Sequence, residues 1–152
     1  MKYLVLAEKP DQAKKYAHAL GQAKNEKGAW KVTTNLIDGQ VTVVSAVGHL
    51  VEIKNPYQNY ENWDLANLPA FPVSFEYEVK TDKKKQFNLI KREVNQADCI
   101  IIGTDADREG ESIAYLILRM IPNALKKVKY RLWVNSLTDE NSIFAGQKLL
   151  VP

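Results

Sequence analysis

The feature that most constrains the fold is the uninterrupted apolar run Cys99–Gly103, which is followed at once by a loop with an acid at every second position. An apolar run without polar breaks is typical of a parallel strand that is covered on both faces. Thr104–Gly110 then predict a loop and the start of a helix, which Pro122 prevents from continuing. This part of the chain therefore predicts a strand, a loop and a helix in succession.

The beginning of the chain has the same order. Tyr3–Ala7 predicts a buried strand, Glu8-Lys9-Pro10 a loop that leads into a helix, and Gly21 the end of that helix. The other predicted elements are antiparallel strands around Asp38-Gly39 between Trp30 and Val47, a strand near Glu76–Lys80, a helix over Lys83–Gln96, a strand over Tyr130–Val134 and a last helix from Thr138 to Leu149. This alternation predicts an α/β fold with a mostly parallel sheet and helices on both faces. Asn55–Phe75, rich in proline and aromatic residues, predicts an irregular insertion between the halves of the sheet.

Composition limits the class of protein without defining its function. The chain has 152 residues, 21 basic against 18 acidic side chains, and Cys99 as its one cysteine. This length suits one compact domain. Because a single cysteine cannot form an internal disulfide, we expect a cytoplasmic location. The apolar runs are too short to cross a bilayer, so we expect no membrane partner. A net charge of +3 does not by itself indicate a nucleic-acid partner.

Acidic side chains gather where the two predicted strands end. Glu8 follows the first strand and Asp105 follows the later one. If these strands are neighbours in a parallel sheet, their carboxylates meet at one edge. In an extended loop alternate residues share a side, so Asp105 and Asp107 are placed to reach one ion. Carboxylates this close repel one another unless a cation joins them, and an all-oxygen ligand set favours Mg²⁺, with Mn²⁺ as a substitute.

The acidic loop also has a simpler interpretation. Acids in the first turn of a helix interact favourably with the helix dipole without any metal. The combination of four spaced acids, a buried strand before them, Gly110 beside them and the remote Glu8 favours a metal site. Glu8 is in addition a candidate general acid or base. Arg108 either contacts a phosphate or neutralises its acidic neighbours, and the spacing favours neither role.

Three segments carry a family resemblance: Glu8-Lys9-Pro10, Gly48-His49-Leu50 and Asp105-Ala106-Asp107-Arg108-Glu109-Gly110-Glu111. Together they resemble the Toprim domain of type IA DNA topoisomerases, most of all that of bacterial topoisomerase III. The Asp-x-Asp-Arg-Glu-Gly-Glu string is highly specific for this family. The resemblance covers essentially the whole chain. It implies a single Rossmann-like Toprim domain over residues 1–152, with an inserted β and loop region at about residues 28–80.

The resemblance also implies roles for individual residues. Type IA enzymes cleave one DNA strand with a tyrosine that becomes attached to the 5′-phosphate and lies in a later domain. No tyrosine of this chain matches that motif, so we expect the C-terminal topoisomerase domains to be absent and the isolated chain to be inactive. Glu8 would be the acid/base residue for the 3′-oxygen, and Lys9 would lie near the scissile phosphate. The remaining implied roles are Mg²⁺ ligation by Glu8, Asp105, Asp107 and Glu109, phosphate contact by Lys9 and Arg108, and motif support by Glu111 and His49.

The two histidines have alternative interpretations. For His49, a structural role as a neutral imidazole that is hydrogen-bonded to the backbone is at least as good an interpretation. His18, on the first predicted helix, is interpreted as a surface or packing residue.

The leading functional hypothesis is the Toprim domain of a topoisomerase III-like enzyme. The resemblance implies that its partners are DNA, chiefly single-stranded segments, and the remaining topoisomerase domains, in the bacterial cytoplasm at the nucleoid or a plasmid. One alternative is a stand-alone Toprim nuclease, in which metal-activated water replaces the tyrosine. Another is a non-catalytic nucleic-acid-binding module that uses the basic run Lys83–Arg92, although such a run is usually a solvated face.

Overall fold

A computed structural model describes residues 1–54 and 74–132, and the fold is given for these residues. The predicted insertion at Asn55–Phe75 falls mostly outside them, and the last predicted helix falls entirely outside them. The elements in chain order are β1 (Lys2–Ala7), α1 (Pro10–Leu20), β2 (Gln22–Glu26), β3 (Ala29–Thr33), β4 (Gln40–Ser45), β5 (Val51–Ile53), β6 (Tyr77–Val79), α2 (Lys84–Gln96), β7 (Cys99–Gly103), α3 (Arg108–Arg119) and β8 (Val128–Arg131).

Six of the described strands form one sheet in the order β2-β3-β4-β1-β7-β8. β1 runs parallel to both β4 and β7, and β7 runs parallel to β8, whereas β2, β3 and β4 pair antiparallel. A separate antiparallel pair is formed by β5 and β6. The mostly parallel α/β sheet is therefore confirmed. In the register of the sheet Ala7 lies opposite both Ser45 and Gly103, so three parallel strands end at the same edge.

The apolar runs are buried because helices cover both faces of the sheet. Successive residues of a strand point to opposite faces. Leu4 and Leu6 pack in the core that α2 and α3 cover, whereas Val5 and Ala7 pack in the core that α1 covers. All residues of β7 are buried, as the sequence predicts for a strand covered on both sides. The helices therefore hold the ends of β1 and β7 in a fixed position.

The strand β2 is missing from the sequence-based prediction. Four of its five residues are polar and four are exposed, so the hydrophobic alternation that marks a half-buried strand is absent. The strand forms because the Lys27-Gly28 loop, with φ of 53° and 94°, matches the twist of a tight hairpin between β2 and β3.

The limits of the single domain and of an insertion at about residues 28–80 stay predictions. Within that range, β3 and β4 belong to the main sheet. No helix in residues 1–54 and 74–132 is both long enough and apolar enough to cross a bilayer.

Candidate functional site

The site lies at the edge of the sheet where β1 and β7 end side by side. Glu8 follows β1, Thr104 and Asp105 follow β7, and the two strands are parallel neighbours. The Asp105 backbone N–H donates to Glu8 Oε2 at 3.3 Å, although the residues are 97 positions apart in the chain. Glu8 is 6% exposed. The predicted meeting of Glu8 with the acidic loop is confirmed.

Lys9 joins the carboxylates of the two strand ends. Its Nζ lies 2.9 Å from Asp105 Oδ2 and 3.2 Å from Glu8 Oε1, while its side chain is 62% exposed. The hydrogen bond to Asp105, and after it the hydrogen bond to Glu8, raises the pKa of Lys9 above its usual range. The ammonium therefore provides the positive charge that close carboxylates need, and it remains open to a ligand from solvent.

Gln12 is a part of the site that sequence reasoning missed. Its Nε2 donates to Asp105 Oδ1 at 2.9 Å, and its Oε1 accepts the Glu8 backbone N–H at 2.8 Å. Gln12 lies one helical turn after Glu8, in the first turns of α1. That spacing is visible in the sequence, but it indicates a contact with Asp105 only when β7 is known to lie beside β1.

The acidic loop folds back on the start of α3. Asp107 is the N-cap residue, and its Oδ1 accepts the Gly110 N–H at 2.7 Å. A Cβ atom on Gly110 would lie 2.2 Å from the Asp105 carbonyl oxygen, which only glycine permits. This close packing sets the path of the loop between Asp105 and Asp107.

His49 lies in the segment between β4 and β5 and reaches Glu109 in the first turn of α3. Its Nε2 lies 3.2 Å from Glu109 Oε1, so a carboxylate faces the imidazole. Val47 and Gly48 have φ of 66° and 72°, and these left-handed conformations turn the chain toward the loop. Such a conformation is unusual for a β-branched residue and is typical of strained positions at functional sites.

Two other predicted residues, Arg108 and Glu111, lie in the first turn of α3. Glu111 forms an ion pair with Arg131. Arg108, Asp107 and Glu111 line an open groove of about 600 Å³ along the start of α3. His18 is an exposed residue whose ring lies 5.4 Å from the Trp30 ring in an edge-on contact, in agreement with the prediction of a surface or packing residue.

The fit of a divalent cation follows from the chemistry of these groups. The predicted ligands Glu8, Asp105, Asp107 and Glu109 offer only oxygen atoms, which is the set that Mg²⁺ prefers. Glu8 and Asp105 already share one cationic group, the Lys9 ammonium. In the part of the chain that the structure describes, no three His, Cys, Asp or Glu side chains converge as a complete metal site. The donor types fit a metal, and Lys9 lies between the two carboxylates.

Comparison with protein families adds an independent observation. The model of the Toprim domain matches residues 3–137, a range that includes both strand ends and the acidic loop. The chain belongs to the Toprim family. Toprim domains generally bind divalent metal ions, which agrees with an oxygen-only site at this edge of the sheet.

This Toprim chain is also similar to larger bacterial proteins. It is 38% identical over 146 residues to DNA topoisomerase 3 of Staphylococcus epidermidis (strain ATCC 12228 / FDA PCI 1200), with 92% of this chain and 19% of the relative covered. It is 39% identical over 145 residues to DNA topoisomerase 3 of Staphylococcus aureus (strain MRSA252), with the same coverage. The chain thus spans about a fifth of the length of these relatives.

Proposed function

We propose that this Toprim domain supplies the metal-binding and acid/base part of a type IA topoisomerase active site, for single-strand DNA cleavage and rejoining. The observation that carries the proposal is the cluster of Glu8, Lys9 and Asp105, which β1 and β7 bring together from distant parts of the chain. The similarity to proteins named DNA topoisomerase 3 supports this choice of reaction. The tyrosine nucleophile would come from the remaining topoisomerase domains.

Glu8 is the proposed proton donor and acceptor. During cleavage the tyrosine oxygen, which has lost its proton to solvent, bonds to phosphorus, the bond from phosphorus to the 3′-oxygen breaks, and the carboxylic acid form of Glu8 gives its proton to that oxygen. During rejoining the Glu8 carboxylate takes the proton back, the 3′-oxygen displaces the tyrosine as its phenolate, and the phenolate takes up a proton from solvent. The burial of Glu8, at 6% exposure, protects this proton transfer from bulk water.

Lys9 and Arg108 are the proposed contacts to the DNA phosphate. The Lys9 side chain is 62% exposed, so its ammonium is able to contact a phosphate while it remains beside Glu8. Mg²⁺, or Mn²⁺ in its place, would be held by Glu8, Asp105, Asp107 and Glu109 and would supply positive charge that orients and neutralises the phosphate. The substrate we propose is DNA with single-stranded segments, in a bacterial cell at the nucleoid or a plasmid.

The test is a chimera in which this chain replaces the Toprim segment of a bacterial DNA topoisomerase 3. We expect Mg²⁺-dependent relaxation of negatively supercoiled plasmid, which Glu8→Gln abolishes. The matched control is Glu26→Gln, which changes an exposed glutamate on β2. A folded chimera without relaxation, or one in which Glu8→Gln retains full activity, would overturn the proposal.

The isolated chain tests the two alternatives on the same plasmid. We expect the plasmid to stay unchanged, because no matching tyrosine is present. Mg²⁺-dependent nicked circles would instead establish the stand-alone nuclease. Binding without cleavage that weakens steeply with salt, and less steeply after neutralisation of Lys83, Lys84 and Lys85, would favour the binding module.

A further inference from the structure

We propose that Gln12 is a positioning residue, which fixes the Asp105 carboxylate so that one of its oxygens stays directed at the position shared with Glu8. This inference rests on the proposed function and adds to it a residue outside the family motifs. Gln12 lies on α1, and its side chain contacts Glu8 after β1 and Asp105 after β7.

The orientation of the Gln12 amide is fixed by its two partners. A backbone N–H is only a donor, so the Glu8 N–H must face Oε1, at 2.8 Å. The amide NH₂ group therefore faces Asp105, where Nε2 lies 2.9 Å from Oδ1. One side chain thus ties the backbone after β1 to the carboxylate after β7.

As a consequence, the two carboxylate oxygens of Asp105 have different partners. Oδ1 accepts from Gln12, and Oδ2 lies 2.9 Å from Lys9 Nζ, on the side of Glu8. Without the Gln12 donor, only the contact with Lys9 restrains the terminal torsion of the carboxylate, which is broad for aspartate. Partners that hold a ligand carboxylate in this way contribute to metal affinity without touching the metal.

Tyr16 supports Gln12 from the side of the core. It lies one turn further along α1, is 6% exposed, and has the Gln12 side chain next to its hydroxyl. Its ring packs against the end of β7, since Tyr16 Cε2 is 3.0 Å from where a Cβ on Gly103 would lie. The line from Tyr16 through Gln12 to Asp105 is therefore anchored in the core.

The experiment compares Gln12→Met with Gln96→Met, the same change at an exposed residue at the end of α2. Methionine keeps the length and the helix propensity of glutamine but removes both hydrogen bonds. Calorimetric titration with Mn²⁺ should show affinity about 10-fold weaker or more in Gln12→Met, with the urea unfolding curve used to confirm that the variant is folded. Gln96→Met should bind like the wild type.

A second readout needs no metal. In the metal-free protein the ¹³C signal of the Asp105 carboxylate should move in Gln12→Met and not in Gln96→Met. Wild-type affinity together with an unchanged Asp105 signal would overturn the positioning role. A wild-type chain that binds no Mn²⁺ would refute the proposed metal site, whereas the Asp105 signal would still decide the role of Gln12. If Gln12→Met does not fold, Gln12→Glu keeps the acceptor for Glu8 but puts a negative charge in place of the donor to Asp105, and an unmoved Asp105 signal in that variant would overturn the positioning role.

Discussion

Gly110→Ala is the substitution whose outcome follows most directly from the packing of the acidic loop. On an ordinary helix, glycine to alanine stabilises by about 0.8–1.0 kcal/mol. Here the added Cβ would lie 2.2 Å from the carbonyl oxygen and 2.9 Å from the nitrogen of Asp105. Both atoms belong to the backbone, so the loop itself must move, and no flexible side chain can yield instead.

The magnitude is the difference between these two effects. Overpacking of a well-packed site costs about 1–3 kcal/mol. Displacement of the loop also weakens the 2.7 Å bond from the Gly110 N–H to Asp107 Oδ1, and loss of an N-cap bond costs about 1 kcal/mol. The clash therefore exceeds the gain in helix propensity, and we expect Gly110→Ala to lower the free energy of unfolding by about 1–3 kcal/mol.

Urea unfolding followed by far-ultraviolet circular dichroism measures this change. The matched control is Ser112→Ala at an exposed position of the same helix, which should be neutral or stabilising by up to about 0.7 kcal/mol. A Gly110→Ala protein at least as stable as the wild type would refute the argument, because the backbone contact would then carry no cost.

Two further predictions concern stability as a function of pH. Burial alone would raise the pKa of Glu93, but hydrogen bonds from Lys31 and Arg92 together hold it below its ordinary value. The contribution of Glu93 to the free energy of unfolding is therefore present above the ordinary pKa of glutamate and is lost as pH falls through the pKa of Glu93 in the folded protein. Glu93→Gln should reduce the loss of stability at acid pH that urea unfolding measures. Burial, followed by the charge of Asp105, raises the pKa of Tyr16 from 10.0 to about 12. The contribution of Tyr16 to the free energy of unfolding is thus complete below pH 10.0 and is lost as pH rises towards about 12. Tyr16→Phe should remove this alkaline loss of stability. An equal loss of stability at alkaline pH in both proteins would contradict the prediction.

The sequence predicts the part of the fold that depends on apolar patterns. The runs at β1 and β7 have no polar breaks, and the helices that follow them have a clear apolar face. Because Glu8 directly follows the first run and Asp105 is the second residue after the other, their meeting follows from one assumption, that the strands are neighbours. The structure confirms that assumption.

The remaining features depend on tertiary contacts that no local pattern records. The polar strand β2 is held by its hairpin and by pairing with β3, so its own residues carry no strand pattern. Gln12 is an ordinary polar helix residue until β7 places Asp105 beside it. The cap formed by Asp107 had a local signal, an aspartate directly before a helix with an N–H three residues later, which the extended-loop interpretation passed over.

Mg²⁺ titration of the wild type and of the double variant Asp105→Asn, Asp107→Asn tests the central claim most directly. Asparagine at 107 is as good an N-cap as aspartate, so the start of α3 is kept while the charge is removed. The double variant Asp38→Asn, Asp82→Asn changes two exposed aspartates and is the control for lost charge. The account predicts a calorimetric isotherm for the wild type and the control, and none for Asp105→Asn, Asp107→Asn. An isotherm unchanged by the loss of Asp105 and Asp107 would contradict it.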